Sequence, residues 1–260
     1  MDQKERRRYL IEALLDENKD LDTTAVVIPD DESEASYMLR GLMNVRPPKE
    51  VPERLLNIQD EYLQEELRSK KITDFYETES NSDGFRLYQG DITLIKADSI
   101  VNAANSGLTG CYIPNHKCID NAIFTYAGMQ LRTYMGELMD KRGNLPEPVG
   151  GATISPAFNL PSAYIIHTVG PMVEGKLTDK ERKLLASCYE ACMTSAAENE
   201  LKNIVFCCIS TGEFHFPNEE AAEIAVSTIK DHKKQYENSP DVMFNVFKDL
   251  DYEIYRKLLF

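Results

Sequence analysis

A cysteine, a histidine and a second cysteine lie within eight residues of one another, at Cys111, His116 and Cys118. Two thiolates and an imidazole form the kind of ligand set that zinc prefers in proteins. A structural zinc site usually has four protein ligands, whereas a catalytic site keeps one position open for water or substrate. Three ligands close together therefore predict a Zn2+ site that takes part in chemistry. A purely structural zinc and a coincidental cluster are the alternatives.

Short polar segments follow three apolar stretches that are predicted to be strands. GDIT (90–93) follows FRLYQ, NAAN (102–105) follows SIV, and STGEF (210–214) follows IVFCCI. A strand, then a loop of small and hydroxyl residues, then a helix is a plausible phosphate cradle, because backbone N–H groups and helix N-termini attract anions. Taken one at a time, the first two segments are explained more simply as turns or helix caps.

The elements that would position these segments change character near residue 80. Residues 1–80 are charged and carry apolar residues at helical spacing, with prolines at 47, 48 and 52 separating two segments. Beyond a polar linker at 77–84, predicted strands alternate with predicted helices at 119–136, 178–199, 218–236 and 249–259. This alternation predicts an α/β domain over 81–260 with a parallel or mixed sheet, preceded by a helical N-terminal extension over 1–80. Ligands of such domains bind at the C-terminal ends of the strands.

Composition excludes several classes of protein. The net charge of −14 argues against nucleic acid as a partner, since binding to phosphate chains depends on a basic surface. It does not exclude a small phosphate ligand, which backbone N–H groups can hold. No apolar run approaches the ~18 residues that span a membrane, and the first residues lack the pattern of a signal peptide, so we expect a cytoplasmic protein without a membrane partner.

Several polar or reactive residues are expected to be structural. The six cysteines, with Cys207 and Cys208 adjacent, do not resemble a disulfide scaffold. The cysteines outside the candidate metal set are predicted to be buried thiols. His167 lies inside an apolar strand and is predicted to be a core histidine.

Taken together, the motifs resemble the macrodomains, a family that binds ADP-ribose. The resemblance begins near residue 85, reaches the C-terminus and keeps the family's order through GDIT (90–93), NAAN (102–105), DNAIFTYAG (120–128), ISPAFNLPSAYIIHTVGP (154–171) and CISTGEFHFP (208–217). It implies a three-layer α/β/α fold with a mixed central sheet, and a ligand that lies across the crest of that sheet.

The resemblance also implies roles for individual residues. Asp91, with Ile92 beside it, matches the adenine-binding position, and Phe214 matches an aromatic residue against the distal ribose. Asn105 and Asp120 match the residues at the distal ribose in the hydrolase branch, where the aspartate assists hydrolysis. For Phe247 a core position is the alternative, and Glu213 is expected to point to solvent. The full set expected to bind ADP-ribose is Asp91, Ile92, Asn102, Ala103, Ser210, Thr211, Gly212, Glu213, Phe214 and Phe247.

The segment between NAAN and Asp120 departs from ordinary hydrolase macrodomains. It reads GCYIPNHKCI (110–119), where those proteins carry a shorter glycine-rich run. It resembles the bacterial zinc-dependent subgroup, which implies zinc on Cys111, His116 and Cys118 at the distal ribose. The implied function is a zinc-dependent hydrolase that removes mono-ADP-ribose from modified protein side chains. An ADP-ribose reader, an O-acetyl-ADP-ribose deacetylase and a zinc-stabilised scaffold are the alternatives.

Overall fold

The structure, a computed structural model, describes residues 1–17 and 26–260, so residues 18–25 of the predicted extension lie outside the described residues. In the described ranges the helices are α1 Gln3–Asp16, α2 Glu32–Val45, α3 Glu53–Arg68, α4 Ile119–Ala127, α5 Met129–Lys141, α6 Asp179–Glu198, α7 Asn218–Gln235 and α8 Asp249–Leu259. The strands are β1 Thr73–Asp74, β2 Arg86–Gln89, β3 Ile95–Lys96, β4 Ser99–Ala103, β5 Ala152–Pro156, β6 Tyr164–Thr168, β7 Asn203–Phe206 and β8 Asp241–Val246.

A six-stranded sheet forms the centre of the fold, with the strand order β2-β8-β7-β4-β6-β5. All neighbouring strands are parallel except β5, which runs antiparallel to β6. Helices α4 and α5 pack against β4 and β5, α6 packs against β5, β6 and β7, and α8 packs against β2 and β8, with α7 between α6 and α8. The predicted three-layer α/β/α fold with a mixed sheet is confirmed. Because five strands are parallel, the loops that follow them meet at one edge.

The three N-terminal helices form a second, smaller apolar core. Leucine, isoleucine and tyrosine side chains recur on their inner faces at spacings of three and four residues, which places them on one side of each helix. Met129 at the start of α5 joins this core, whereas Phe75 belongs to the main core around the sheet. The division of the chain near residue 80 stays a prediction. None of the helices in the described part of the chain is long and apolar enough to cross a membrane.

One predicted helix is wrong. The segment 119–136 is not continuous but divides at Gly128, which has a φ of 97° and separates α4 from α5. A positive φ is accessible to glycine without the steric cost that other residues incur. A Cβ atom at this position would lie 2.7 Å from Gln59 Nε2, so the break also makes room for the extension to approach.

The remaining cysteines lie largely in the core. Cys188, Cys192 and Cys207 are buried and Cys208 is half-buried, and all of them are free thiols. Burial raises the pKa of the Cys207 thiol to about 12, which keeps it protonated and unreactive near neutral pH.

Candidate functional site

The three candidate metal ligands come together in the loop between β4 and α4. One ligand atom from each of Cys111, His116 and Cys118 lies within 4.8 Å of the others, and all three residues are half-buried. Cys111 Sγ is 3.8 Å from His116 Nδ1. Zinc–sulfur and zinc–nitrogen bonds of about 2.3 and 2.0 Å at tetrahedral angles would place such atoms roughly 3.5 to 4 Å apart. The residues therefore fit a zinc ion after a small contraction of the loop.

Cys118 has a second role as the N-cap of α4. Its Sγ accepts a hydrogen bond from the N–H of Asn121 at 3.4 Å. A helix N-terminus favours a thiolate, but burial dominates here and raises the pKa of Cys118 to about 12. A bound cation would reverse that balance, because a coordinating thiol loses its proton.

Asp120 follows directly in the first turn of α4 and is only 4% exposed. Its Oδ1 accepts a hydrogen bond from Asn102 Nδ2 at 2.8 Å, and its Oδ2 accepts one from Asn105 Nδ2 at 3.2 Å. Burial raises the pKa of Asp120 to about 6, even though the two amides and the charge of Arg132 favour the carboxylate. A carboxylate with a raised pKa is suited to accept a proton near neutral pH.

A buried polar chain lies behind Asp120. Asn102 Nδ2 contacts His167 Nδ1 at 3.1 Å, and His167 Nε2 lies 2.9 Å from Ser155 Oγ. Because Asn102 donates to Nδ1, the ring proton is assigned to Nε2, from which it reaches Ser155. Burial lowers the pKa of His167 to about 3, so the ring is neutral. His167 is a satisfied core histidine, as predicted, and the buried Asn102 side chain holds Asp120 in place.

At the far end of the same sheet edge, Asp91 caps a short 3-10 turn. Its Oδ1 accepts hydrogen bonds from the N–H and the hydroxyl of Thr93, at 2.9 and 2.6 Å. Ile92 is buried in the main core. The N–H of Gly90 donates to Val246 O at 2.9 Å, which brings the chain after β8 beside Asp91. Phe247 is 77% exposed there, so the alternative of a core position is wrong.

Between these two ends lies the loop 210–214, which follows β7. Ser210 has a φ of 65°, and its carbonyl accepts a hydrogen bond from the N–H of Phe216 at 3.0 Å. The Ser210 hydroxyl is buried and has no hydrogen-bond partner within the described ranges. A buried hydroxyl without a partner is costly unless a ligand or water satisfies it, so this position suits a phosphate oxygen. Gly212 and Glu213 are exposed, and Thr211 and Phe214 are half-buried.

The order of the strands places these groups in one line. β2, β8, β7 and β4 are consecutive neighbours, so the ends of β2 and β4 lie roughly 14 Å apart at about 4.8 Å per strand. Asp91 and Phe247 lie at one end, the loop 210–214 in the middle, and Asp120 with the metal ligands at the other end. Ala103 ends β4 and is half-buried. Glu213 Oε1 approaches His116 Nε2 to 3.8 Å, so the middle loop reaches the metal ligands.

Three residues that the sequence did not single out contact the loop that carries the candidate metal ligands. Arg40 and Asn44 lie on α2 of the extension, and Arg132 lies on α5. The available signal was weak: Arg40 and Asn44 are four residues apart and share one face of a helix that carries no recognisable motif. Arg132 is a charged residue on the buried face of α5, among Met129, Leu131 and Met135.

Comparison with known proteins identifies the family of this chain. Residues 101–225 match the family described as Macro domain. A protein-ADP-ribose hydrolase from Treponema medium is 51% identical over 264 residues, which cover 100% of both chains. A protein-ADP-ribose hydrolase from Staphylococcus aureus (strain MRSA252) is 43% identical over 256 residues, 98% of this chain and 95% of that one. A macrodomain variant from Oceanobacillus iheyensis, solved with ADPR, has a TM-score of 0.60 and 34% identity, over 69% of this chain and 94% of that chain. The chain belongs to the macrodomain family.

Proposed function

We propose that this protein is a zinc-dependent protein-ADP-ribose hydrolase, which removes mono-ADP-ribose from modified side chains. One observation supports the proposal most directly: Asp120, a buried carboxylate held by the amides of Asn102 and Asn105, lies beside a candidate Cys–Cys–His metal-ligand set at one end of a line of candidate ligand-binding residues. The names of two relatives that match nearly the whole chain support hydrolysis of protein-linked ADP-ribose.

The ligand would lie along the sheet edge. The carboxylate of Asp91 would accept a hydrogen bond from the adenine amine, and the exposed ring of Phe247 would cover the base. The loop 210–214 would hold the diphosphate through its backbone and the unpartnered Ser210 hydroxyl. Contacts this far from the reacting bond hold the distal ribose in attack geometry, which converts binding energy into rate.

The reaction would take place at C1 of the distal ribose. Cys111, His116 and Cys118 would hold Zn2+, which supplies Lewis-acid chemistry beside the ribose when bound. Asn105 fixes the ribose, and Asp120 orients the attacking water and accepts its proton. The water oxygen forms a bond to C1 as the bond from C1 to the acceptor side chain breaks, and the proton that Asp120 takes from the water passes to the departing acceptor or to solvent. Asn102 holds the Asp120 carboxylate throughout by its 2.8 Å hydrogen bond.

Substituting Asp120→Ala tests this assignment. We expect the variant to bind ADP-ribose within a few-fold of the wild type, because the adenine and diphosphate contacts are untouched. The rate of ADP-ribose release from a modified protein should fall by about 10²- to 10⁴-fold, the usual contribution of a general base. Asp231→Ala is the matched control, since Asp231 forms only an exposed ion pair with Lys234.

Two outcomes of that experiment would contradict the proposal. Turnover by Asp120→Ala at the wild-type rate would remove Asp120 from the mechanism. Tight binding of ADP-ribose by a wild-type protein that releases none from any modified acceptor tested would instead identify a reader.

A further inference from the structure

We propose that Arg40 and Asn44 of α2 are positioning residues of the metal centre, so that the helical extension forms part of the site. The inference rests on the proposed function, because it assumes that Cys111, His116 and Cys118 bind zinc. It goes further by assigning a role to a segment that carries no recognisable motif of its own.

Arg40 contacts both the loop that carries the candidate metal ligands and the first turn of α4. Its Nη2 donates to the carbonyl of His116 at 3.1 Å and to Asn121 Oδ1 at 2.8 Å, and its Nε also donates to Asn121 Oδ1 at 3.2 Å. Asn121 in turn donates from Nδ2 to the carbonyl of Ile113 at 3.0 Å. A single guanidinium therefore fixes the backbone at a candidate ligand and, through one amide, in the middle of the loop.

Asn44 lies one helical turn further along α2, is buried, and forms a hydrogen bond with the same loop. Its Oδ1 accepts the N–H of Asn115 at 2.9 Å, and its Nδ2 donates to Thr125 Oγ1 at 2.9 Å. Asn115 has a φ of 55°, a sparsely populated conformation that persists only where its surroundings hold it. Because Asn115 directly precedes His116, this hydrogen bond sets the direction in which the imidazole leaves the backbone.

Two further contacts show how closely α2 and the loop fit. A Cβ atom on Gly41, which lies between the two residues on α2, would come within 2.9 Å of Asn115 Nδ2. Glycine inside a helix is otherwise unfavourable, so the close approach accounts for its presence. From the other side, Arg132 donates to the carbonyls of Asn44 and Arg46 and, at 3.2 Å, to that of Cys111. The end of α2 and the start of the loop therefore share one side chain.

Cys111 and His116 lie in the loop between β4 and α4, and Cys118 lies at the N-cap of α4. Because none of the three lies inside the strand or the helix, the loop depends on contacts from outside for its conformation. Side chains that orient metal ligands from outside commonly affect metal affinity by 10- to 100-fold. A loop ordered in advance by α2 has less conformational freedom to lose when the ion binds.

The test is zinc affinity, measured by competition with a chromophoric chelator, for the wild type, Arg40→Ala and Arg6→Ala. Arg6 is a matched control: it forms an ion pair with Glu61 at 2.9 Å inside the extension. We expect Arg40→Ala to bind zinc about 10- to 100-fold more weakly. Arg6→Ala should bind zinc like the wild type. Hydrogen exchange of the Asn115 amide in metal-free protein adds a readout independent of the ion, and Asn44→Ala, which removes the acceptor of that amide, should accelerate it.

The possible results separate the positioning role of Arg40 from the proposed function. Equal zinc affinity of folded Arg40→Ala and wild type would overturn the positioning role while leaving the proposed function intact. A wild-type protein that binds no zinc would overturn both. Should Arg40→Ala fail to fold, Arg40→Met replaces it: a methionine keeps an unbranched side chain of similar length but has no donor for His116 O or Asn121 Oδ1, so wild-type affinity of that variant would also count against the proposal.

Discussion

At the scale of single residues, the carboxylate of Asp120, the proposed catalytic group, is held by side chains that are buried from solvent. Asp120 is held by Asn102, which is held by the neutral ring of His167, which contacts Ser155. Every member of this chain is buried, so each hydrogen bond fixes the next side chain in a low-dielectric interior. The network keeps the carboxylate of Asp120 in one orientation.

Acid should destabilise the wild type more than His167→Gln. Burial lowers the pKa of His167 to about 3 from an ordinary 6.5. Above pH ~6.5 the ring is neutral in both the folded and the unfolded state, so it does not oppose folding. As the pH falls from there towards 3, the unfolded state binds a proton that the folded state does not, and the free energy of unfolding decreases. At a pH of about 4.5 the loss amounts to about 3 kcal/mol relative to neutral pH. Urea unfolding of both proteins at the two pH values measures it.

The comparison between the two proteins isolates His167 from Asp120. Burial raises the pKa of Asp120 to about 6, so protonation of that carboxyl favours the folded state as the pH falls, the opposite sign. Both proteins contain Asp120, and its contribution largely cancels in the difference. Parallel losses of stability in the two proteins would contradict a buried neutral histidine.

At the scale of elements, a glycine forms the turn that leads into the metal-binding loop. Gly110 has a φ of 85°, and a Cβ there would lie 2.6 Å from the ring of Phe124, which is in the main core. Its carbonyl also accepts a hydrogen bond from Asn105 Nδ2 at 3.1 Å. The start of the loop is therefore held between Asn105 and the core.

Gly110→Ala should destabilise the protein by about 2 to 4 kcal/mol, because it combines a left-handed backbone with a clash against a packed ring. Gly143→Ala is the matched control: Gly143 has a φ of 66° but open space around it, so only the backbone cost of about 1 kcal/mol remains. Urea denaturation compares the two variants. Equal losses would show that the contact with Phe124 does not matter.

Elements that depend on neighbouring residues could be predicted from the sequence, whereas features that depend on distant residues could not. The six strands of the central sheet, and the helix Asp249–Leu259, were predictable because alternation and helical spacing are properties of neighbouring residues. The two-residue strands β1 and β3 were not predicted. The break at Gly128 was not, since it depends on Gln59, about seventy residues away. The roles of Arg40 and Asn44 were hidden for the same reason. Asp120 and the Cys–His–Cys set were found because they are contiguous motifs.

At the scale of the whole molecule, a polar cluster joins the extension to the sheet domain. Asp60 on α3 accepts hydrogen bonds through Oδ1 from Asn159 at 2.7 Å, Gln130 at 2.9 Å and Gln59 at 3.1 Å. Met129 adds an apolar contact from the start of α5 to the core of the extension. We expect the two cores to unfold as one unit.

Asp60→Ala should therefore lower the stability of the whole protein by about 1 to 3 kcal/mol, because three donors lose their acceptor. Asp231→Ala, whose exposed ion pair contributes little, should leave stability within about 0.5 kcal/mol. Far-UV circular dichroism and tyrosine fluorescence during urea unfolding follow both cores. Two separate transitions in the wild type would contradict the expected coupling.

The net charge of −14 is a further property of the whole molecule. It opposes binding to nucleic acid and leaves the diphosphate of the proposed ligand to be held by short-range contacts, namely the loop 210–214 and its Ser210 hydroxyl. The proposed zinc-dependent hydrolysis takes place at the other end of the ligand, at C1 of the distal ribose.

The most direct test of this proposal is the release of free ADP-ribose from a mono-ADP-ribosylated protein. Release is measured with the enzyme as purified, after zinc is removed with a chelator, and after zinc is added back. We expect release to stop when zinc is removed and to return when zinc is added back. Release at an unchanged rate from a sample shown to contain no metal would contradict a zinc-dependent hydrolase.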